Sequence, residues 1–166
     1  MMDEFVPPTA LQRFRTGHEA GVARQIALPS ARELVSALFG RHVAAHPLSR
    51  WACQLADLHD PQADPGHVSA AQICDLVHEI DLWIELHVPQ HRLGAALHTE
   101  TLGTVIDHIA ATQNRIHAEL SGWHGSDCPP LRAAWHRLAE LVDSYDDLVH
   151  DVVRGVRRLP APARGG

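Results

Sequence analysis

The spacing of the apolar residues constrains this chain more than any other feature. Over most of its length they recur three and four positions apart, and prolines or capping residues cut the pattern into segments. Ser30-Ala31-Arg32-Glu33 reads as a capping box, the serine serving the first amides and the glutamate reaching back. Behind it Leu34, Ala37, Leu38 and Ala45 lie near one face. Pro47 suits the first turn of a second helix, whose face is Leu48, Trp51, Ala52, Leu55 and Leu58. Ser69 is the expected cap of a third, carrying Ile73, Leu76, Val77, Ile80, Trp83, Ile84 and His87 up to Pro89. Thr99 is the expected cap of a fourth, with Glu100 favourable to the helix dipole in its first turn. That stripe is Leu102, Val105, Ile106, Ile109, Gln113, Ile116 and Leu120. Pro129-Pro130 opens a fifth, with Leu131, Trp135, Leu138, Val142, Tyr145, Val149 and Val152.

Nothing alternates over more than a few residues, so strands are not expected. The predicted fold is all-α, a helical bundle of about five helices near 30–45, 47–60, 68–88, 99–121 and 130–156. Residues 1–29 form an N-terminal extension with room for one short helix, 30–157 the bundle domain, and 158–166 a disordered tail. The predicted joint core is Trp51, Leu55, Ile80, Ile84, Ile106, Ile109, Leu138 and Val142. A length of 166 residues suits one such domain, and 45% hydrophobic residues exclude a disordered chain.

Charge and composition remove several classes of function. No apolar run approaches the roughly 18 residues of a membrane span, and the acidic start broken by Pro7-Pro8 is unlike a signal peptide. A cytosolic location is expected. The net charge is −6 and no basic stripe exists, so nucleic-acid phosphates have no footprint. All the cationic residues are arginine, which excludes lysine Schiff-base chemistry and the P-loop lysine. Cys53, Cys74 and Cys128 are odd in number without CxxC spacing, against disulfide frameworks or structural zinc. No cofactor signature is present.

Fourteen histidines direct attention to chemistry. Asp75-Leu76-Val77-His78-Glu79 and Asp147-Leu148-Val149-His150-Asp151 repeat the acid–histidine spacing of di-metal bundles. On a helical wheel, however, both acids point away from the apolar stripes, as a solvated charged face does, and no metal centre is expected. The pairs His42/His46 and His87/His91 are each disturbed by a proline, so neither is a dependable chelate. Histidines on or beside the stripes matter more: His59, His87, His98 and His117. Buried polar groups need partners, and Asp81, at the border of the Val77 and Ile84 face, is a natural carboxylate for one imidazole. Such a pair serves as either a structural network or an acid–base site.

Glu100, Gly103, Asp107, Ala110 and Asn114 form a polar, small-residue stripe opposite Leu102. Gly103 mid-helix costs about 1 kcal/mol relative to alanine, which a close approach by another helix, another subunit or a ligand would offset. The candidate site is therefore Asp81, His98, Glu100 and Asp107, with His59 as an addition. His98-Thr99-Glu100-Thr101-Leu102-Gly103-Thr104-Val105-Ile106-Asp107 also resembles a known family, the bacterial domain-of-unknown-function family numbered 4254. Thr99, Glu100, Thr101, Gly103, Ile106 and Asp107 match its Ser/Thr-Glu-Thr-Pro-Gly…Ile-Asp-Arg stretch, and Ile80-Asp81 and Trp51 match two further elements. The chain departs from that pattern at Leu102, where proline is usual, and at His108, where arginine is usual. The resemblance covers roughly 30–120. It implies an α-helical bundle, implies no activity, and draws attention to Asp81, Glu100 and Asp107.

Two functional readings stand. The first is an accessory helical protein that forms homo-oligomers or binds a protein partner through the Glu100–Gly103–Asp107 stripe. The second is a small-molecule enzyme using acid–base chemistry, with His98 or His59 as base, Asp81 or Glu100 as orienting carboxylate, and Trp51 or Trp83 as pocket wall. A metal-binding bundle is a distant third.

Overall fold

The computed structural model describes residues 27–40, 46–60, 70–89, 93–122 and 128–162. Five helices dominate them: α1 (Ala31–Leu38), α2 (Pro47–Leu58), α3 (Ala70–His87), α4 (Leu102–Ser121) and α5 (Pro129–Val153). The fold is the all-α bundle expected from the stripes. The N-terminal extension up to residue 26, Ser69, His42, Ala45 and His91 lie outside the described residues, and with them the expectations placed there.

Local chemistry sets the helix starts. The Ser30–Glu33 capping box forms, with the Ser30 N–H donating to Glu33 Oε2 at 2.7 Å and the Glu33 N–H to Ser30 Oγ at 3.3 Å. His46 caps α2: its Nδ1 accepts the Leu48 N–H at 3.2 Å, and Pro47 takes the first helical position. The cap of α4 is Thr101 rather than Thr99, with Thr101 Oγ1 accepting the Thr104 N–H at 3.2 Å. Glu100 consequently precedes the helix instead of standing in its first turn. The hydroxyl that satisfies the amides decides between two nearby threonines, and spacing alone does not.

α4 is the hub, packing against α5, α2, α3 and α1. Its Leu102, Val105, Ile106, Ile109, Ala110 and Ile116 are buried beside Leu55 of α2, Ile80 and Ile84 of α3, and Leu138 and Tyr145 of α5. Two members of the predicted core, Trp51 and Val142, are only half-buried at its margin. On α5 the buried line runs Ala134, Leu138, Leu141, Tyr145, Leu148 and Val152. Trp135 is 44% exposed and stacks on Phe39, with centroids 6.0 Å apart. The expected stripe had chosen the larger side chains. The packed face is rotated toward Ala134 and Leu141. Tyr145 closes that junction, its hydroxyl donating to the Pro29 carbonyl at 2.9 Å, while the Ala31 N–H donates to Asp146 at 2.8 Å.

A small parallel ladder, not foreseen in the sequence, ties the segment beyond α5 to the stretch ahead of α4. Beyond α5, Gly155 adopts φ 72°, a left-handed turn that suits glycine. Arg157–Arg158 (β2) then pairs with Ala96–Leu97 (β1), just ahead of α4. Leu159 is buried at 8% exposure. The segment expected as a tail from 158 is thus packed at its start, and it lies over the N-terminus of α4.

Candidate functional site

Asp81 follows Ile80 on α3, so its side chain stands on the flank of the buried face, directed at the start of α4. It is 8% exposed, one of three buried polar residues among those described, with Ser49 and Gln113. Its Oδ1 accepts the Gly103 N–H at 2.8 Å, and its carboxylate also takes a hydrogen bond from the Thr101 side chain. The side chain therefore satisfies an amide that the helix itself leaves unpaired. Burial pushes the Asp81 carboxyl above the usual range, and the bonds from Thr101 and Gly103 and the nearby His78 oppose that only in part.

Gly103 makes the arrangement sterically feasible. A Cβ placed there would lie 2.6 Å from Asp81 Oδ1 and 2.7 Å from the Val77 carbonyl oxygen. The close approach foreseen at this glycine is made by α3 of the same chain. The rest of the small-residue stripe is also occupied. Ala110 is fully buried, and the Asn114 amide donates to the Ala56 carbonyl of α2. At Gly103, Ala110 and Asn114 the stripe is an internal helix-packing seam, while Glu100 lies at the surface.

A cleft of about 160 Å³ opens beside Asp81. Asp81, Ile84 and Glu85 of α3 form one wall, Thr101 and Leu102 the floor, and the strap Arg158–Pro162 the other wall. Its lining thus combines two acidic residues, a threonine and an arginine with the apolar Ile84, Leu102, Leu159, Pro160, Ala161 and Pro162. Small size, mixed polarity and a position between helices suit a compact polar ligand.

The other anticipated site residues fall elsewhere. The carboxylate–imidazole pair that forms is His59 with Asp107, at 2.7 Å between Nε2 and Oδ1, both partly accessible. It joins the C-terminal end of α2 to α4. The pairing expected of His98 with Asp81 does not occur: His98 Nδ1 lies 2.8 Å from the Glu100 carbonyl oxygen, closing a local turn. The Glu100 carboxylate sits 3.9 Å from His108 Nδ1 at the surface. The five candidates therefore divide into a capping cleft at Asp81, a His59–Asp107 bridge, and the His98–Glu100 turn. Trp51 and Trp83 meet each other edge to face at 6.2 Å, and Trp83 stacks on His87 at 4.5 Å. They form an aromatic cluster and line no part of the cleft.

Among the described residues no group of three or more His, Cys, Asp or Glu is placed to hold a metal ion. Asp75, Asp147 and His150 are exposed, and His150 Nε2 lies 3.2 Å from Arg154. Sequence reasoning missed Glu85, Arg158 and the strap. Glu85 was legible as the residue one turn beyond Asp81. Arg158 was not, because a ladder of two residues leaves no periodic signal.

The fold and the cleft define a small helical-bundle protein with a polar pocket at a helix junction. The chain belongs to the DUF4254 family, described as a protein of unknown function, whose model matches residues 69–161. The matched span begins at α3 and reaches the strap, later at both ends than the 30–120 inferred from motifs. It contains every residue lining the cleft except Pro162, whereas Trp51 and His59 lie outside it. No curated protein and no solved structure matches the chain. Among the described residues no helix is long and apolar enough to cross a membrane.

Proposed function

We propose that this is an accessory binding protein whose cleft between α3, the start of α4 and the C-terminal strap takes a small polar molecule. The observation that carries this reading is Asp81: a buried carboxylate, destabilised in its charged form, bordering a cleft built almost wholly from the family-matched span. A ligand donor would restore the solvation that burial removes. Assembly through the Glu100–Gly103–Asp107 stripe loses support because that stripe packs on α3 and α2. Native mass spectrometry of the full chain from its own host tests the reading. A retained small molecule that is lost in Asp81→Asn, with helix content intact, is expected; a ligand-free wild type or a ligand kept by the variant overturns it.

The acid–base enzyme reading retains one supporting observation, the 2.7 Å His59–Asp107 contact. A carboxylate in that position fixes the imidazole tautomer, as a general base requires. It is the weaker reading because neither residue lines the cleft that Asp81 borders.

A further inference from the structure

The cleft's charges carry the binding reading one step further, to the chemical class of the ligand. Asp81 and Glu85 are one helical turn apart on the same side of α3, one buried and the other exposed at the rim. Across from them stands Arg158, held by the β1–β2 ladder, whose backbone carbonyl accepts the His98 N–H at 2.9 Å. The residues lining the cleft thus bring acidic side chains from α3 and a basic one from the strap. Between them lie only a threonine hydroxyl and aliphatic or proline surface. A purely cationic ligand would leave the guanidinium unmatched, and a purely anionic one would meet two carboxylates. The volume of about 160 Å³ is below the roughly 300–1,000 Å³ of drug-sized ligand pockets, so the occupant is small.

Resting on the small-molecule reading above, the geometry points to a short aliphatic amino acid, its ammonium facing Asp81 and Glu85 and its carboxylate facing Arg158. The ammonium would donate to Asp81, whose Oδ1 already accepts from Gly103 and whose carboxylate therefore presents a fixed acceptor geometry. Arg158 would meet the carboxylate with its paired donors. Ile84, Leu102, Leu159 and Pro160 would cover the hydrocarbon part. The strap supplies both Arg158 and much of the apolar wall, so one short segment contributes to charge recognition and to water exclusion.

Isothermal titration calorimetry on the full chain tests this with four probes of five carbons each. They are L-valine, δ-aminovalerate, pentylamine and valerate. Saturable binding of L-valine or δ-aminovalerate is expected, with pentylamine and valerate at least about tenfold weaker, as loss of one charge-assisted contact implies. Which amino acid binds better reports the span between the two charged walls. Arg158→Gln and Glu85→Gln, both on the rim, should each weaken the amino acid while leaving helix content and melting unchanged. Asp81→Asn should weaken it further. Pentylamine or valerate binding as tightly as the amino acids, in a manner sensitive to Asp81→Asn, overturns the zwitterion and leaves the small-molecule reading standing. Amino-acid binding indifferent to Asp81→Asn and Arg158→Gln overturns the assignment of the site. No binding of any probe at millimolar concentration overturns the ligand class, and the mass spectrum of host-purified protein then decides separately whether a different small molecule occupies the cleft.

Discussion

Gly103→Ala is the substitution in which two opposed effects are most cleanly separable. Alanine is the better helix former by about 1 kcal/mol, and on propensity alone the variant should be more stable. The new methyl, however, would stand 2.6 Å from Asp81 Oδ1 and 2.7 Å from the Val77 carbonyl oxygen. The first of these could rotate away only by abandoning the 2.8 Å bond from the Gly103 N–H. The second is backbone, and moves only if α3 moves. Overpacking of this kind costs about 1–3 kcal/mol, and a lost hydrogen bond to a charged group about 1.5–3 more. Set against the propensity gain, the net expected loss is about 1.5–5 kcal/mol. Urea unfolding followed by far-ultraviolet circular dichroism measures it. Gly122→Ala provides the control, since a Cβ there meets only the Ala118 carbonyl, at an ordinary 3.7 Å, and should change stability by no more than about 0.5 kcal/mol. A Gly103→Ala protein as stable as the wild type would refute the claim that α3 and α4 are locked at this point.

The remaining predictions concern the core and two of the perturbed ionisations, those of Asp81 and His46. Ile80→Ala and Ile109→Ala should each cost about 2–5 kcal/mol, since both side chains are buried, whereas half-buried Val142→Ala should cost clearly less; equal losses would contradict the packing of α5. The Asp81 carboxyl is raised in the fold, so its contribution to stability is fully present below the unfolded carboxylate range and declines as pH rises through the raised value. Urea midpoints of wild type and Asp81→Asn, compared from acidic to neutral pH, should therefore diverge in the variant's favour as pH rises, and a constant difference would count against it. His46 is the opposite case: burial holds its imidazole below the usual range, so the stability it confers is present above the ordinary imidazole value and lost as pH falls through the lower folded one. Protonation would also abolish the Nδ1 acceptor that caps α2, and His46→Asn should keep the cap while flattening the acid-side loss.

The stripes on α2, α3 and α4 made those helices readable, because an apolar face with a polar back has only one way to point. α5 was read correctly as a helix and slightly wrongly as a face. Leu138, Tyr145 and Val152 lie on both the expected and the actual lines, but Ala134 rather than Trp135 turns inward, a choice that spacing alone does not make. The site was legible one residue at a time. Asp81, Gly103 and the need for a close approach there were all visible, as was a histidine–carboxylate pair. What no periodicity encodes is partner choice between residues far apart in the chain. His59 pairs with Asp107 rather than His98 with Asp81, because α2 lies along α4 while His98 is taken up by its own turn. Arg158 reaches the cleft through a two-residue ladder between segments separated by two helices.

Asp81 is best understood as one group serving two demands that reinforce each other. As an acceptor for the Gly103 amide it fixes where α4 begins relative to α3, and Thr101 joins it from the cap position. That same anchoring removes the carboxylate from water, which raises its affinity for a proton or for any other cationic donor. A capping aspartate on an exposed helix start would do the first without the second, because solvent would screen it. Here Leu102, Leu159 and the strap exclude that solvent on one side, leaving the cleft as the remaining approach. Asparagine at this position can still accept the amide through its carbonyl oxygen, but it cannot supply the negative charge. Asp81→Asn should therefore preserve the α3–α4 junction, as judged by retained helix content and cooperative unfolding, while abolishing recognition of a cationic group. If the asparagine variant instead loses cooperative unfolding, the charge is part of the fold itself and Asp81 has no separate role in binding.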